Sequence, residues 1–478
     1  MQQAEQELFG AGAKAEPLMD LAGAGCARSI KKLFPTPGYA TVFCGKGNNA
    51  GDALVIGRLL FEAGWKVDTE FVFDDTERWS DLLQKKWNQF RSSVTPRSVP
   101  VGGPRISIDG LLGIGAKGPL RDPLANLAET MNSRRLHDHA TTISIDIPSG
   151  IDGDSGEPFA GAVIADLTLS ICQPKRGIVQ ESAINHVGRI EEIPLPQIPV
   201  RVGSTDALLI SPHRFTELPP RRPFDFHKGR AGRVAIIAGS VGMAGAASLV
   251  AKGASHSGAG LVTVWVSPEV YPIVAALCPT EVMVRPYSSV SEITDSRTDS
   301  IAIGPGLGTQ WDSQLVDFLQ TSHTPMVIDA DALNVMADLQ IDPATLMAET
   351  IMTPHPGEFA RLTGTADHDR FTAVRQYAEQ WQTTLLLKGS RSLITAPGQP
   401  IAINTTGHPS MASGGMGDVL TGMIAGLVAQ GIAPFEATAW ASWLLGRSAE
   451  LSAPTVTAST VADHLGDAIL DWERSFCA

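Results

Sequence analysis

Four short stretches set acids, amides and glycines where a reaction could use them. The first is GGMGDVLTGMIAGLVAQG, residues 414–431. Gly414, Gly415 and Gly417 leave backbone amides open. Leu420, Met423, Ile424 and Leu427 recur at helical spacing, which predicts a helix beginning near Asp418. A glycine turn at a helix N-terminus is an anion hole. Asp418 at its mouth is placed to take a proton from a hydroxyl attacking a phosphoryl group, while the amides stabilise the developing charge. The competing reading is a plain N-cap aspartate.

The second stretch, FCGKGNNAGDALVIG (residues 43–57), joins a strand-like run to a helix-like one. Gly45, Gly47 and Ala50 satisfy a loose dinucleotide fingerprint, which is weak evidence alone. Asn48, Asn49 and Asp52 crowd the turn, and the Asp52 carboxylate would repel a nearby phosphate. Asp74 or Asp75 could bind a ribose but lie beyond the usual ~20-residue spacing. A dehydrogenase loop is therefore poorly supported. The third and fourth stretches are ISIDGLLGIGAKGP (106–119) and ISIDIPSGIDGDSGE (143–157). They end strand-like runs with Asp109 and Asp146, each followed by a glycine-rich turn. Ligands of open parallel sheets bind beyond such strand ends. Asn, Asp and Ser there make a pocket of hard oxygen donors suited to an alkali or alkaline-earth ion. A calcium loop does not fit, because Gly156 replaces the third ligand and Glu157 the required glycine. For Asp146 the alternative is a turn cap over the amides of Ser149 and Gly150.

These turns need sheets to hold them. From residue 40 to about 193, YATVFC, WKVDTEFVF, RISIDG, TTISIDIPSG and ADLTLSI alternate with helical stretches. That is the pattern of a mostly parallel sheet with helices on both faces. Prolines then cluster from Pro194 to Pro223, a poor core and a good connector. The boundary is placed near residue 205. GRVAIIAGS, GLVTVWVS, SIAIGPGLG, MVIDADAL, TTLLLKGS and SLITA restart the alternation without repeating the first half.

A chain of 478 residues suggests two domains. Its net charge of -13 argues against nucleic acid as a partner. Five cysteines (Cys26, Cys44, Cys172, Cys278, Cys477) show no metal or disulfide spacing. The first ten residues lack the basic start and apolar core of a signal peptide. No uncharged apolar run reaches the ~20 residues of a spanning helix. The expectation is a cytoplasmic protein without a membrane partner; self-association is left open.

The motifs of the first half, with AEPLMDLAGAG (15–25) and ADLTLSICQPKRG (165–177), resemble the epimerase domain of NAD(P)H-hydrate repair enzymes. The resemblance implies a Rossmann-like three-layer α/β domain over residues 1–205 that epimerises hydrated NADH and NADPH. It implies that Asn48, Asn49, Ala50, Gly51 and Asp52 bind the dinucleotide with Gly113, Ile114, Gly115, Ala116, Lys117, Gly118 and Pro119. Asn49, Asp109 and Ser149 would hold potassium, and Asp146 would contact the hydrated ring as acid and base. The family usually has glycine where this chain has Ala50 and Ala53.

The second half carries HKGRAG, AGSVGMAGAA, IGPGLG, IDADALN, MTPHPGEF and LLKGS in the order of the ribokinase-like fold. Together with the Asp418 stretch they look like the ADP-dependent NAD(P)H-hydrate dehydratase domain, residues 206–478. The resemblance implies phosphorylation of the ring hydroxyl by ADP and departure of phosphate. Phosphate leaves readily near neutral pH where water does not. Ala246, Gly306, His355 and Asp418 would meet the hydrate, with Asp418 as base. Lys388, Gly389, Ser390, Arg391, Ser392 and Gly417 would meet the nucleotide. Glu358 would orient magnesium through water, its alternative being a surface helix-start glutamate. Lys228 reads as a phosphate contact or a solvated lysine. Met416 stands where the family commonly has threonine or serine. The expected protein is a bifunctional isomerase and lyase. The alternative is a ribokinase-like small-molecule kinase with a non-catalytic nucleotide-binding N-terminal domain.

Overall fold

Runs of β-branched residues bounded by glycine become parallel strands, as the alternation predicts. The computed structural model describes residues 14–73, 76–100, 102–115, 117–195, 207–219, 222–293, 297–309, 311–365 and 369–475. Ala116, Asp74, Asp75 and residues 196–206 around the expected boundary lie outside them. The chain divides into two units, Met1–Ser204 and Thr205–Ala478.

The first unit holds six parallel strands: β1 (Tyr39–Cys44), β2 (Lys66–Phe71), β3 (Arg105–Gly110), β4 (Thr141–Ile145), β5 (Leu167–Ile171) and β6 (Arg189–Ile193). Their order is β2-β1-β3-β4-β5-β6. The winding reverses between β1 and β3, which opens a crevice at their carboxyl ends. Glycine permits the close approach of the two loops there. A Cβ on Gly45 would lie 1.8 Å from the Leu111 carbonyl oxygen.

Helix Asn48–Glu62 covers this crevice edge. Ala50 and Ala53 are fully buried inside it, and neither has a positive φ. The backbone reason for glycine at these two positions is therefore absent. Spatial complementarity takes its place, because a Cβ on Gly110 would come within 2.5 Å of the Ala53 Cβ. This chain keeps its small residue on the strand and its methyl on the helix.

The second unit is built on ten strands: β7 (Ala207–Leu209), β8 (Arg233–Ile237), β9 (Leu261–Val266), β10 (Met283–Pro286), β11 (Ser300–Ile303), β12 (Met326–Ile328), β13 (Thr350–Met352), β14 (Thr384–Leu387), β15 (Leu393–Thr395) and β16 (Ile401–Ile403). They run in the order β10-β9-β8-β11-β12-β13-β14-β15-β16-β7, parallel except for the β14-β15 and β15-β16 pairs. The proline-rich stretch is more than a connector. It supplies edge strand β7, and Ile210, Phe215 and Leu218 enter the core. Their apolar side chains outweigh the neighbouring prolines.

Helix Met416–Ala429 is apolar all round and almost wholly buried, as such a helix must be. It lies against helix Ala244–His256 at backbone distance. Cβ atoms on Gly422 and Gly253 would fall 1.9 Å from the Val250 oxygen and 2.2 Å from the Val419 oxygen. These glycines let the helices touch and so fix where the Asp418 end emerges.

Candidate active sites

At the crevice of the first unit, Asp109 ends β3 with a fully buried carboxylate. Its Oδ1 accepts from the Leu111 amide (3.2 Å) and the Ser149 hydroxyl (2.7 Å). Its Oδ2 accepts from the Ser144 hydroxyl (2.9 Å) and the Ser149 amide (2.8 Å). Burial pushes the carboxyl up, and these four bonds oppose the push. The Leu112 amide donates to Ser149 Oγ (3.0 Å), and the Asn49 side-chain amide donates to the Leu112 carbonyl (2.9 Å). Asn49, Asp109 and Ser149 thus converge on one turn. Asn49 Oδ1 has no donor among the described residues, and Gly113 packs beside it without a side chain. Asn49 Oδ1 is the oxygen this turn leaves for a cation, with the buried, fully bonded Asp109 carboxylate as the charge behind it.

Asn48 is exposed at the helix start, where its Oδ1 accepts from Ser80 Oγ (3.3 Å). Gly51 is buried and Asp52 half-buried. Gly113 to Gly115 and Lys117 to Pro119 form the largely open loop after β3. The alternative ligand loop at Asp152 is closed, since that carboxylate accepts from the amides of Asp154 and Ser155.

Asp146 follows β4 with φ 69° and Cys172 follows β5 with φ 64°. Each is the middle of a three-residue turn. The Ile147 amide bonds the Ile145 oxygen and the Gln173 amide bonds the Ile171 oxygen, both at 2.8 Å. Such positive-φ turns are strained, on the order of 1–3 kcal/mol each. Asp146 Oδ1 accepts from the Ile171 amide (3.1 Å) and pairs with the buried Lys175 ammonium. Lys175 also donates to the Ile171 carbonyl (3.1 Å). Lys175 escaped the sequence reading, although ICQPKRG contains it. The buried Cys26 thiol is pushed well up by burial and by the charges of Asp52 and Asp146.

In the second unit, Gly415 caps helix Met416–Ala429 with φ 91°, and no side chain completes the cap. The amides of Met416, Gly417 and Asp418 meet no acceptor among the described residues. They are free for an anion. Met416 sends its side chain into the core, so its replacement of a hydroxyl residue leaves the amides intact. The Asp418 carboxyl is pushed up to about 6, chiefly by burial and then by Asp329, with Lys388 opposing.

Asp329, at the end of β12, is buried and holds two partners. Lys388 Nζ lies 2.5 Å from its Oδ1 and Thr421 Oγ1 2.6 Å from its Oδ2. The ammonium therefore sits over the glycine turn, 3.2 Å from where a Gly417 Cβ would be. Asp329 and Thr421 were missed. Asp329 carries the same signal as Asp109 and Asp146, an acid ending an apolar run.

His355 caps helix Pro356–Thr363. Its Nδ1 accepts from the amides of Gly357 (2.9 Å) and Glu358 (3.3 Å), so the neutral ring carries its proton on Nε2. Glu358 Oε2 accepts from the His355 amide (2.8 Å), closing a reciprocal cap. Glu358 is buried, unlike a surface helix-start glutamate, and burial raises its carboxyl against the pull of His355 and Lys388. Its Oε1 lies 3.4 Å from His355 Nε2, so both carboxylate oxygens already face His355 and magnesium would meet Glu358 through water. No cluster of three acidic, histidine or cysteine residues among the described ones could hold a metal alone. Magnesium commonly relies on substrate phosphates for the rest.

Ala246 and Gly306 meet, since a Gly306 Cβ would lie 2.8 Å from the Ala246 Cβ. The nearby Gly308 amide donates to Asp331 Oδ2 (2.8 Å), and Asp331 adds to the field on Asp418. Gly389 to Ser392 form the β14–β15 turn, which Arg370 gathers by donating to the carbonyls of Leu387, Lys388 and Arg391. Arg391 is buried, which lowers its guanidinium to about 10. Lys228 is exposed, as a solvated lysine would be.

Residues 234–471 match a family model described as NAD(P)H-hydrate dehydratase, and residues 15–177 match one described as YjeF-related protein N-terminus. The bifunctional NAD(P)H-hydrate repair enzyme Nnr of Coxiella burnetii is 36% identical over 86% of this chain and 85% of its own. That of Moorella thermoacetica is 34% identical over 91% and 88%. Among solved structures, the Bacillus subtilis ADP/ATP-dependent NAD(P)H-hydrate dehydratase co-crystallised with ATP/Mg2+ aligns with 57% of this chain and 100% of its own. Its identity is 31% and its TM-score 0.50. A ribokinase-like superfamily protein from Enterococcus faecalis V583 is 26% identical with the same TM-score, over 57% of this chain and 99% of its own.

Proposed function

The chain belongs to the bifunctional NAD(P)H-hydrate repair enzymes, and from that premise we propose how its two units divide the work. The protein epimerises hydrated NADH and NADPH and dehydrates the hydrate in a nucleotide-dependent step. Residues 1–205 carry the epimerase and residues 206–478 the dehydratase. The observation that carries this reading is Asp418, a carboxyl with raised proton affinity at three open amides, beside an ammonium held by Asp329.

In the second unit, Asp418 takes the proton of the ring hydroxyl as the β-phosphoryl group of ADP is transferred. Lys388 and the amides of the Gly415–Asp418 turn stabilise the charge of that group. AMP is released, and phosphate leaves the carbon that bore the hydroxyl. The neighbouring ring carbon gives up a proton to solvent, and the restored double bond makes the S epimer NADH or NADPH. Ala246, Gly306 and His355 hold the hydrate, and the turn from Lys388 to Ser392 with Gly417 holds the nucleotide. Glu358 would orient magnesium through water, and the metal when bound would supply neutralisation of phosphate charge. In the first unit, Asn48 to Asp52 and Gly113 to Pro119 hold the dinucleotide and Asp146 moves the proton. Asn49, Asp109 and Ser149 would organise potassium.

No helix among the described residues is long and apolar enough to cross a membrane. We place the protein in the cytoplasm, with the hydrates and ADP as its partners and no nucleic acid. The kinase alternative is not favoured by the relatives. Incubation with hydrated NADH and either ADP or ATP, followed at the NADH absorbance, tests the reading. NADH must reappear with ADP, and a phosphorylated alcohol without NADH would support the kinase.

Dehydration depends on pH through Asp418. A base with a carboxyl at about 6 gives kcat/KM that is level above neutrality and falls about tenfold per pH unit well below that value. Asp329→Asn removes a charge that raises the carboxyl, so the limb moves to lower pH. Lys388→Met removes one that lowers it, so the limb moves up. Dehydration of the S epimer across a buffer series checks both. A limb unmoved in either variant excludes Asp418 as the titrating group.

Epimer exchange should slow when tetramethylammonium replaces potassium at equal ionic strength, since screening is then matched. Equal rates in the two buffers refute a functional ion at Asn49.

A further inference from the structure

We propose that Lys175 is the positioning residue of epimer exchange, clamping one oxygen of Asp146 so that the other meets the hydrated ring. The inference rests on the assignment of epimerisation to the first unit, and names a residue that assignment did not contain.

Three features carry it. The Lys175 ammonium is almost wholly buried, with its side chain 7% exposed, and it bonds Asp146 Oδ1 and the Ile171 carbonyl. Oδ1 also accepts the Ile171 amide, so both of its donors come from the β5 end. Oδ2 has no donor among the described residues, while the Asp146 side chain retains 12% exposure at the carboxyl end of the sheet. The carboxylate is thus divided into a fixed oxygen and an available one.

The backbone is shaped for the same purpose. β4 and β5 are adjacent parallel strands, and each ends in a turn whose middle residue has positive φ. The turn at Asp146 aims the carboxylate towards β5. The turn at Cys172 bends the chain so that Lys175, three residues on, comes back towards Asp146. A surface ion pair needs no such arrangement, and backbone outliers in neighbouring strands concentrate where function over-determines the chain. Oδ2 takes the proton of the ring hydroxyl as the C–N bond of that hemiaminal carbon breaks, its electron pair passing to the ring nitrogen and an aldehyde forming. The nitrogen then re-closes on the other face of the carbonyl as Oδ2 returns the proton to the oxygen, so nothing is consumed. Lys175 stays bound to Oδ1 throughout.

The test uses the full chain and an epimer mixture, with ADP in excess. The S epimer disappears in a fast phase through the second unit, and the following slow phase reports exchange. In Lys175→Ala the slow phase should fall to about 1% of the parent or less, with KM for the hydrate within about threefold. The fast phase should be unchanged. Propylamine should restore part of the slow phase in a saturable way, which a merely structural lysine would not allow. Asp146→Asn run in parallel separates the two levels of the reading. If it loses exchange while Lys175→Ala keeps it, the proposal on Lys175 fails and the epimerase assignment stands. If Asp146→Asn keeps exchange, both fail. A rise in KM at unchanged kcat also overturns the proposal, because it would make Lys175 a binding group. If the alanine variant loses the cooperative thermal transition of the first unit, Lys175→Met is judged by the same rate and KM limits. Unfolding of both would make the lysine a structural anchor and overturn the proposal.

Discussion

Asp418→Asn should slow dehydration of the S epimer by about 10²–10⁴-fold, with ADP affinity changed only a few-fold. The amide nearly matches the carboxylate in shape but cannot accept the hydroxyl proton. Asp418 stands at the start of a buried helix whose free amides remain in the variant, so the anion hole persists. The Asp329–Lys388–Thr421 cluster also persists, because its three groups bond one another rather than Asp418. Removing a negative charge beside the phosphate site would, if anything, favour ADP. Single-turnover dehydration and calorimetric ADP binding check the two halves of this expectation. Turnover within a few-fold of the parent would remove Asp418 as the base. Loss of ADP binding together with turnover would make it a binding residue.

Gly422→Val should destabilise the second unit by about 3 kcal/mol or more, since the clash is with backbone and no rotamer relieves it. A Cβ at this position would lie 1.9 Å from the Val250 oxygen and 2.8 Å from the Val250 carbon. The helices Ala244–His256 and Met416–Ala429 must then move apart. That loses packing along their length and displaces the glycine turn from Lys388. The thermal transition of the second unit should drop by roughly 10 °C, and dehydration should fall even where the unit stays folded. Epimer exchange should survive. Calorimetry with an exchange assay at the same temperature checks this. An unchanged transition would show that the helices do not meet at Gly422.

The sequence displayed this chemistry unevenly. The Asp418 helix was legible because its apolar spacing and its glycines are local. Asp109 and Asp146 were legible as acids at the ends of apolar runs. Asp329 ends a run in the same way, but the run is only three residues long and its partners are remote, 59 and 92 residues away. Lys175 meets Asp146 across 29 residues, and nothing in its own neighbourhood announces the pairing. Its meaning comes from two strand ends made neighbours by the sheet. Edge strand β7 was hidden by prolines, because its place depends on the exposed side of β16 rather than on its own composition. Ala50 and Ala53 looked like departures when compared with glycine one position at a time. Folded, Ala53 faces Gly110, whose missing side chain leaves the room that the Ala53 methyl occupies. His355 and Glu358 were read as ligand groups. They also hold each other and begin a helix, a second role visible only in three dimensions.

Mixing two full-length variants examines the division of labour most directly. Asp146→Asn should dehydrate the S epimer at the parent rate and then stall on the R epimer, apart from slow spontaneous exchange. Asp418→Asn should exchange the epimers and consume neither. Supplied together with ADP and an epimer mixture, the two should return all of the hydrate to NADH, followed as absorbance against time. Complete conversion by the mixture, after a stall with each variant alone, is the expected result. Full conversion by Asp146→Asn alone, or a mixture that halts where Asp146→Asn halts, would contradict the assignment of one reaction to each unit.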